Sequence, residues 1–194
     1  MIALVRPECP KPEALAAGIY DDPDNKNALA KAASGKCMYC ESKIGHVSYP
    51  QIEHIKPKKK FPELEFVWEN LGFCCQICNT NKGQKYDEAR PFINPYNENP
   101  EDHIGFLGYY IYPKHGSLRG EYTIKEIGLE RNELNDRRKE KIDGVEKMIK
   151  AAFSTKSDSL RNQAIDEIKK EAGKDMEYSA AIESVLIAHE IISK

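Results

Sequence analysis

The stretch that decides the fold runs over residues 37–83 and reads CMYCESKIGHVSYPQIEHIKPKKKFPELEFVWENLGFCCQICNTNKG. It contains two Cys-x-x-Cys pairs, Cys37-Met-Tyr-Cys40 near its start and Cys75-Gln-Ile-Cys78 near its end. Each pair can offer two thiolates to one ion from a tight turn, and a tetrahedral zinc ion would close the segment between the pairs into a loop. We therefore predict a structural zinc site that consists of these four cysteines.

Two other interpretations of the cysteines are disulfide bonds and a dithiol redox motif. The opening Met-Ile-Ala-Leu-Val-Arg-Pro lacks the long apolar run of a signal peptide, and neither pair lies in a thioredoxin-like strand and helix pattern. Both observations favour zinc, and they predict a cytoplasmic protein, because no later stretch approaches the length that spans a bilayer. Cys74 is predicted to be a small buried residue and Cys9 a free thiol.

Composition adds limits on the class of protein. The chain of 194 residues suits one domain, or a small core with an appendage. Its net charge of −2 excludes a polycation that would coat nucleic acid indiscriminately. Basic residues nevertheless outnumber acidic ones between Lys31 and Phe92, most densely at residues 56–60. This lysine cluster (Lys56, Lys58, Lys59 and Lys60) suits phosphate contacts, and it is equally typical of a solvated loop.

The sequence divides into four parts. They are an N-terminal helical arm (1–35), the cysteine-containing core (36–92), a loop and hairpin extension (93–128) and a C-terminal helical region (129–194). In the extension we predict a strand over 105–112 paired with residues 121–124. In the C-terminal region, apolar residues recur at helical spacing, and breaks at 154–159 and at Gly173 predict three helices.

Within the core the pattern predicts two strands and a helix. An extended segment is expected between His46 and His54. The stretch with Phe66, Val67, Trp68 and Leu71 is expected to include a short helical turn and the second strand, and we interpret Trp68 as a core anchor rather than a platform for stacking a ligand. Asn79 is expected to open the helix that carries Lys82. The pattern thus predicts a core of two strands followed by a helix, held together at the cysteine pairs.

The segment between the cysteine pairs also supplies what phosphodiester cleavage requires. His54 can accept a proton near neutral pH, and Glu53 offers a hard oxygen ligand for Mg²⁺ or Mn²⁺. Adjacent side chains on a strand point to opposite faces, so both groups reach one site only from a twisted strand end. Asn79 can lend its amide oxygen to the same ion, and Lys82 can face the phosphate. Asn70 is expected to tie down the loop that presents His54.

Taken together, Cys-x-x-Cys, Glu53-His54, Asn70-Leu71 and Cys-x-x-Cys-Asn-x-x-Lys-Gly resemble the motif of HNH endonucleases of the ββα-metal class. Asn79 stands where the family has the last histidine of its name, and Glu53 stands where aspartate is usual. The resemblance implies an α+β fold with a zinc-stapled ββα-metal core and helical flanks, and metal-dependent cleavage of DNA. It also implies His54 as general base, Glu53 and Asn79 as ligands of the catalytic Mg²⁺ or Mn²⁺, and Asn70 as organiser of the loop.

A narrower resemblance covers most of the chain. Its blocks are Val5-Arg-Pro, Lys36 to Glu41, Ile52 to Lys58, Ile93-Asn-Pro with Asn99 to His103, and Thr123 to Leu129 with Arg137-Arg138. These blocks are similar to the PtuB-like HNH proteins of Septu-type and retron-associated anti-phage systems. That resemblance implies an ABC/SMC-like ATPase partner (PtuA-like). The C-terminal helices are then either a docking surface for the ATPase or a part of the core.

Two rival functions remain open from the sequence. A non-catalytic zinc-ribbon adaptor that binds nucleic acid or a partner explains the cysteines and lysines equally well, but it leaves the Glu53-His54 pair and Asn79 unexplained. A thiol-disulfide protein would require an exposed cysteine of low pKa. Among the other polar residues, we interpret His103 as a surface or capping group, and Arg137 and Arg138 as a solvated helix face, with contacts to nucleic acid or to the ATPase as the alternative.

Overall fold

The computed structural model describes residues 1–45 and 49–193. In chain order the described residues form α1 (Pro12–Ala16), α2 (Pro23–Ala32), β1 (Pro50–His54), β2 (Leu71–Cys75), α3 (Gln76–Lys82), β3 (Ile104–Leu107), β4 (Tyr110–Pro113), α4 (Leu118–Ile127), α5 (Asn132–Ser154), α6 (Asp158–Lys170) and α7 (Ser179–Ala188). The predicted extended segment from His46 lies partly outside the described residues, and β1 is its described part. The predicted α+β fold with a ββα core and helical flanks is confirmed.

Strands β1 and β2 form an antiparallel pair in which Ile52 lies opposite Phe73, Glu53 opposite Gly72 and His54 opposite Leu71. Because side chains alternate along a strand, Ile52 and His54 share one face of β1, whereas Gln51 and Glu53 share the other. The register therefore assigns the two candidate catalytic residues to different faces of β1, so they can serve one site only at the end of the strand, which His54 occupies.

The N-terminal arm covers the Ile52 face. Its helices bury one apolar cluster with this face, which consists of Leu15, Leu29, Ala33, Ile52, Trp68, Leu71 and Phe73. Trp68 is only 8% exposed, and its indole N–H donates to the carbonyl oxygen of Pro7 at 2.9 Å. Its prediction as a core anchor is confirmed. Arg6 fastens the arm further by donating to the carbonyl oxygens of Trp68 and Leu71 at 2.8 and 2.9 Å.

The first cysteine pair lies against β2. The backbone N–H of Met38 donates to the carbonyl oxygen of Phe73 at 3.0 Å, and the Met38 side chain crosses Gly72. A Cβ atom at Gly72 would overlap the Met38 sulfur, so a larger residue would displace the buried Met38 side chain. Glycine at this position therefore leaves room for Met38 to pack across β2.

Helix α3 begins at Gln76, so the prediction that Asn79 opens this helix is wrong. Cys75 is the capping residue, with extended backbone and a sulfur that accepts from the N–H of Cys78 at 3.5 Å. The second Cys-x-x-Cys pair thus forms the first turn of the helix itself. Asn79 and Lys82 lie one turn further along, three residues apart and therefore on one side.

The extension contains a hairpin of β3 and β4, in which Phe106 lies opposite Ile111. The predicted pairing of residues 121–124 as a strand is wrong, because they lie within α4. Ser117 caps this helix by accepting from the N–H of Gly120, and Thr123, Ile124 and Ile127 are buried at helical spacing. Burial and capping therefore override the strand preference of the β-branched residues.

The C-terminal region contains three helices with breaks at the predicted positions. Arg138, which we interpreted as solvated or as a contact to another molecule, is 1% exposed, so both interpretations are wrong for it. Its guanidinium donates to the carbonyl oxygen of Leu129 at 2.8 Å and lies over the Phe106 ring. Arg137 is exposed and pairs with Glu140. None of the described helices is long and apolar enough to cross a bilayer.

The start of α7 and the segment before it bind the first cysteine turn. Lys36 donates to the carbonyl oxygen of Met176 at 2.8 Å, and Ser179 donates to the Glu41 carboxylate at 2.7 Å. The hydroxyls of Ser42 and Tyr178 lie 3.0 Å apart. These contacts make the C-terminal region a part of the core that holds the cysteines.

Candidate active site

The four predicted metal-ligating cysteines lie together. Their sulfur atoms all lie within 4.8 Å of one another, and all four residues are buried. Burial raises the pKa of the Cys37 thiol well above its ordinary value, whereas hydrogen bonds from Cys37 and its neighbours lower the pKa of Cys40. Several thiolates so close together repel one another, so a set of four needs a cation beside it. A closed set of four sulfur donors fits a structural metal ion.

The other two cysteines lie outside this cluster. Cys74 is fully buried and its thiol donates to the carbonyl oxygen of Cys75 at 3.2 Å, which agrees with the predicted small buried residue. Cys9 is a half-buried free thiol, and it donates to the side-chain oxygen of Asn25 at 3.4 Å. The metal cluster therefore contains the two Cys-x-x-Cys pairs and neither of these residues.

Glu53 and Lys82 form an ion pair between β1 and α3. Each side chain is only 1% exposed, and Lys82 also donates to the backbone carbonyl oxygen of His54 at 2.8 Å. Burial raises the pKa of Glu53 to about 7, although the Lys82 ammonium acts in the opposite direction. Lys82 thus points inward at Glu53, whereas the sequence suggested that it faces a phosphate.

Asn79 contacts the same face of β1 one turn earlier in α3. Its side-chain N–H₂ donates to the side-chain oxygen of Gln51 at 2.6 Å, and Asn79 itself is half-buried. Gln51 and Glu53 are two residues apart on one strand face, and Asn79 and Lys82 are three apart on one helix side. The result is two side-chain pairs in succession, Gln51 with Asn79 and Glu53 with Lys82.

His54 lies on the opposite face. Its Nε2 atom lies 2.9 Å from the carbonyl oxygen of Glu65. Because a carbonyl only accepts, Nε2 carries the hydrogen, and Nδ1 is the nitrogen with the lone pair. Burial lowers the pKa of His54 below its ordinary value, so the imidazole is neutral at pH 7. A neutral, oriented imidazole is suited to accept a proton.

Asn70 binds the loop that follows His54. Its side-chain oxygen accepts from the N–H of Lys56 at 2.8 Å, and its side-chain nitrogen donates to the carbonyl oxygens of Lys56 and Leu64 at 3.0 Å. The backbone carbonyl of Asn70 also accepts from the N–H of Ile55 at 2.9 Å. The side chain thus links the residues just after His54 to those just before Glu65, which is the partner of the imidazole.

The N-terminal arm and the lysine cluster border His54. The Tyr20 ring meets the imidazole edge to face with centroids 4.7 Å apart, and the Lys58 ammonium lies 4.4 Å from the Tyr20 ring centre. Lys58 also pairs with Glu65 at 2.7 Å. The lysine cluster is therefore partly engaged in contacts around His54, while Lys59 and Lys60 are exposed.

Two residues of the site were missed in the sequence. Gln51 carries a signal that was available, since it lies two residues before Glu53 and so shares its strand face. Tyr20 carries none, because it lies outside the motif and reaches His54 only through the packing of the arm. His103, by contrast, lies in a separate group with Glu98 and with Ser117, the cap of α4.

Comparisons with known proteins agree with this geometry. Residues 37–85 match the model of the HNH endonuclease family. The chain is 32% identical to the Septu protein PtuB of Bacillus thuringiensis, over 89% of this chain and 72% of that protein. It is 30% identical to the Septu protein PtuB of Bacillus mycoides (strain KBAB4), over 88% of this chain and 70% of that protein. With an HNH endonuclease domain at its core and this similarity over most of both chains, the protein belongs to the PtuB family of Septu proteins.

Proposed function

We propose that this chain hydrolyses phosphodiester bonds of DNA with the help of a divalent metal ion, as the nuclease subunit of a Septu-type anti-phage system. One observation carries the proposal. At the end of β1, a neutral histidine whose Nδ1 has a free lone pair follows directly after a carboxylate that faces α3. The HNH match spans both of these elements.

His54 is the proposed general base. Nδ1 takes a proton from the attacking water, while the Glu65 carbonyl holds the ring through Nε2 and favours the imidazolium that forms. Asn70 acts indirectly. Its side chain binds backbone groups of the loop between His54 and Glu65 and so fixes that loop. Tyr20 limits the motion of the ring from the other side.

Glu53 and Asn79 are the proposed ligands of Mg²⁺ or Mn²⁺. The carboxylate of Glu53 and the amide oxygen of Asn79 are hard donors, and they fit such an ion. When bound, the ion would neutralise the phosphate and the departing 3′ oxygen. Lys82 places its side-chain nitrogen beside Glu53 and, through its bond to the His54 carbonyl, fixes the end of β1.

The four cysteines are the proposed ligands of a structural zinc ion. It would take no part in the chemistry, and it would join the turn before β1 to the first turn of α3. Because Cys78 and Asn79 are adjacent, the zinc ion would also fix the position of the candidate metal ligand on α3.

The proposed partner is an ABC/SMC-like ATPase of the PtuA-like kind, and the proposed location is the cytoplasm. The similarity to two Septu proteins supports such a system. On α5, Met148 and Phe153 are apolar residues that are 38% and 55% exposed. Each is a separate candidate contact for the ATPase.

A second candidate is the zinc-ribbon adaptor, and the Glu53–Lys82 pair favours it. The Glu53 carboxylate is 1% exposed and is already paired with the Lys82 ammonium, so this pair can stabilise the fold without any metal ion. The adaptor predicts that divalent ions change nothing, whereas the nuclease requires them.

Plasmid cleavage separates the two candidates. Zinc-loaded protein is incubated with supercoiled DNA and Mg²⁺ or Mn²⁺, with EDTA as the metal-free control, alone and together with a PtuA-like ATPase, the proposed partner. His54→Ala is compared with His115→Ala, a change of the same kind at an exposed histidine. We expect nicking by the wild type and His115→Ala only with a divalent ion, and none by His54→Ala. Equal nicking by His54→Ala, or none by any variant in either arm, would contradict the proposal.

A further inference from the structure

Gln51 makes a polar contact that neither the cysteine pairs nor the Glu53-His54 motif explains. Its side-chain oxygen accepts from the Asn79 side-chain nitrogen at 2.6 Å, which joins the first half of β1 to the middle of α3. Gln51 is half-buried, so this hydrogen bond is partly shielded from water. The contact therefore fixes the amide of Asn79 more firmly than an exposed contact would.

An asparagine ligand differs from a carboxylate in one respect that matters here. A carboxylate has two equivalent oxygens, but an amide has one oxygen and one nitrogen, and only the oxygen binds a hard cation. An unrestrained Asn79 side chain would present its N–H₂ end to the ion as readily as its oxygen. A site that uses asparagine thus needs a neighbour that selects the orientation.

Gln51 presents the acceptor end of its own amide to Asn79. Because that oxygen engages the Asn79 nitrogen, the Asn79 oxygen is the end that remains for a ligand in this arrangement. Gln51 and Glu53 lie on the same strand face, so the orienting residue and the proposed carboxylate ligand approach α3 side by side.

We propose that Gln51 is a positioning residue that orients the Asn79 amide so that its oxygen faces the divalent metal ion. This inference rests on the proposed function, because it concerns the same metal ligand. Partners of this kind, which bind a ligand rather than the ion, typically change metal affinity by about 10- to 100-fold. Gln51→Leu should weaken Mn²⁺ binding by about that factor and leave the pH dependence of cleavage at saturating Mn²⁺ unchanged.

The test is a calorimetric Mn²⁺ titration of the zinc-loaded full chain. The variants are Gln51→Leu, Asn79→Asp and the double variant, with Gln84→Leu as a matched change at an exposed glutamine. Zinc content and thermal unfolding establish that each variant is folded. We expect Gln51→Leu to lose affinity in the Asn79 background and to lose little with Asn79→Asp, because a carboxylate needs no orientation. Gln84→Leu should bind like the wild type.

Two results would overturn the inference alone. One is wild-type affinity in Gln51→Leu, and the other is an equal loss of affinity in both backgrounds, which would mean that Gln51 only supports the strand. A wild-type protein whose Mn²⁺ binding is absent, or is unaffected by Glu53→Gln, would instead overturn the proposed metal site and the inference with it.

Discussion

The two faces of strand β1 differ in what covers them and in the chemistry that they offer. The Gln51 and Glu53 face meets α3, where each side chain is bound by a partner on the helix. The Ile52 and His54 face meets the N-terminal arm, where an apolar cluster and the Tyr20 ring surround the imidazole. One face thus carries the proposed oxygen ligands of an ion, and the other carries the proposed base.

This difference shows how adjacent residues of one motif obtain separate surroundings, which suit the two functions proposed for them. Glu53 and His54 are adjacent in sequence, but strand alternation gives them different neighbours. Lys82 joins the two residues, since it contacts the Glu53 carboxylate and donates to the backbone carbonyl oxygen of His54. Part of the environment of the base, the Tyr20 ring, comes from the N-terminal arm, which lies outside the residues that match the HNH family.

Loss of one of the four clustered cysteines should disturb both faces of β1, and it should give the largest loss of stability. Cys78→Ser removes one of four sulfur ligands at the first turn of α3, and structural zinc contributes about 10 kcal/mol or more to folding. We expect a protein with less than one equivalent of zinc and no cooperative thermal unfolding. Cys9→Ser, at a half-buried cysteine outside the cluster, should keep both properties. A cooperatively folded, zinc-free Cys78→Ser protein would exclude a structural role for the metal.

Substitutions on one face of β1 at a time should separate metal binding from catalysis. His54→Ala should reduce the cleavage rate by about 10²- to 10⁴-fold at saturating Mg²⁺, the usual contribution of a general base, and leave Mn²⁺ affinity unchanged. Glu53→Gln should instead weaken Mn²⁺ binding. Single-turnover cleavage and Mn²⁺ titration measure the two effects, and the same loss of Mn²⁺ affinity in both variants would refute the division between the faces.

Removing the side chain that joins Glu53 to His54 should cost stability. Lys82→Met leaves the buried Glu53 without its counter-charge, and breaking such a pair typically costs about 3–5 kcal/mol. The double variant Glu53→Gln/Lys82→Met should recover much of that loss. Lys85→Met is the control, because the more exposed Lys85–Glu126 pair should contribute about 0–1 kcal/mol. Urea denaturation gives the free energies of unfolding, and equal losses for Lys82→Met and Lys85→Met would contradict the buried pair.

The pH dependence of cleavage should report the environment of His54. Burial lowers the pKa of this imidazole below the ordinary value of 6.5. A general base acts in its neutral form, so at saturating metal the rate should rise with pH and level off with a midpoint below 6.5. Tyr20→Ala should move that midpoint upward, because it uncovers the ring. A wild-type midpoint above 6.5 would contradict the burial of the base.

The sequence predicts the part of this account that depends on local spacing. The cysteine pairs identify four residues that converge, and the helical periodicity after Leu129 predicts three helices with their breaks. Contacts between distant segments have no such signal. The burial of Arg138 depends on Phe106 in the hairpin, and the inward direction of Lys82 depends on Glu53 in another element. Residues 121–124 show the same limit, because tertiary packing overrides their strand preference.

Anomalous diffraction from crystals of the protein soaked in Mn²⁺ tests the division between the faces most directly. Data at the zinc and manganese wavelengths distinguish the two metals. The account predicts a zinc peak among the four cysteines and a manganese peak beside Glu53 and Asn79, with no metal bound to the His54 ring. A manganese peak on the His54 ring, or none while Lys82 stays bound to Glu53, would contradict it.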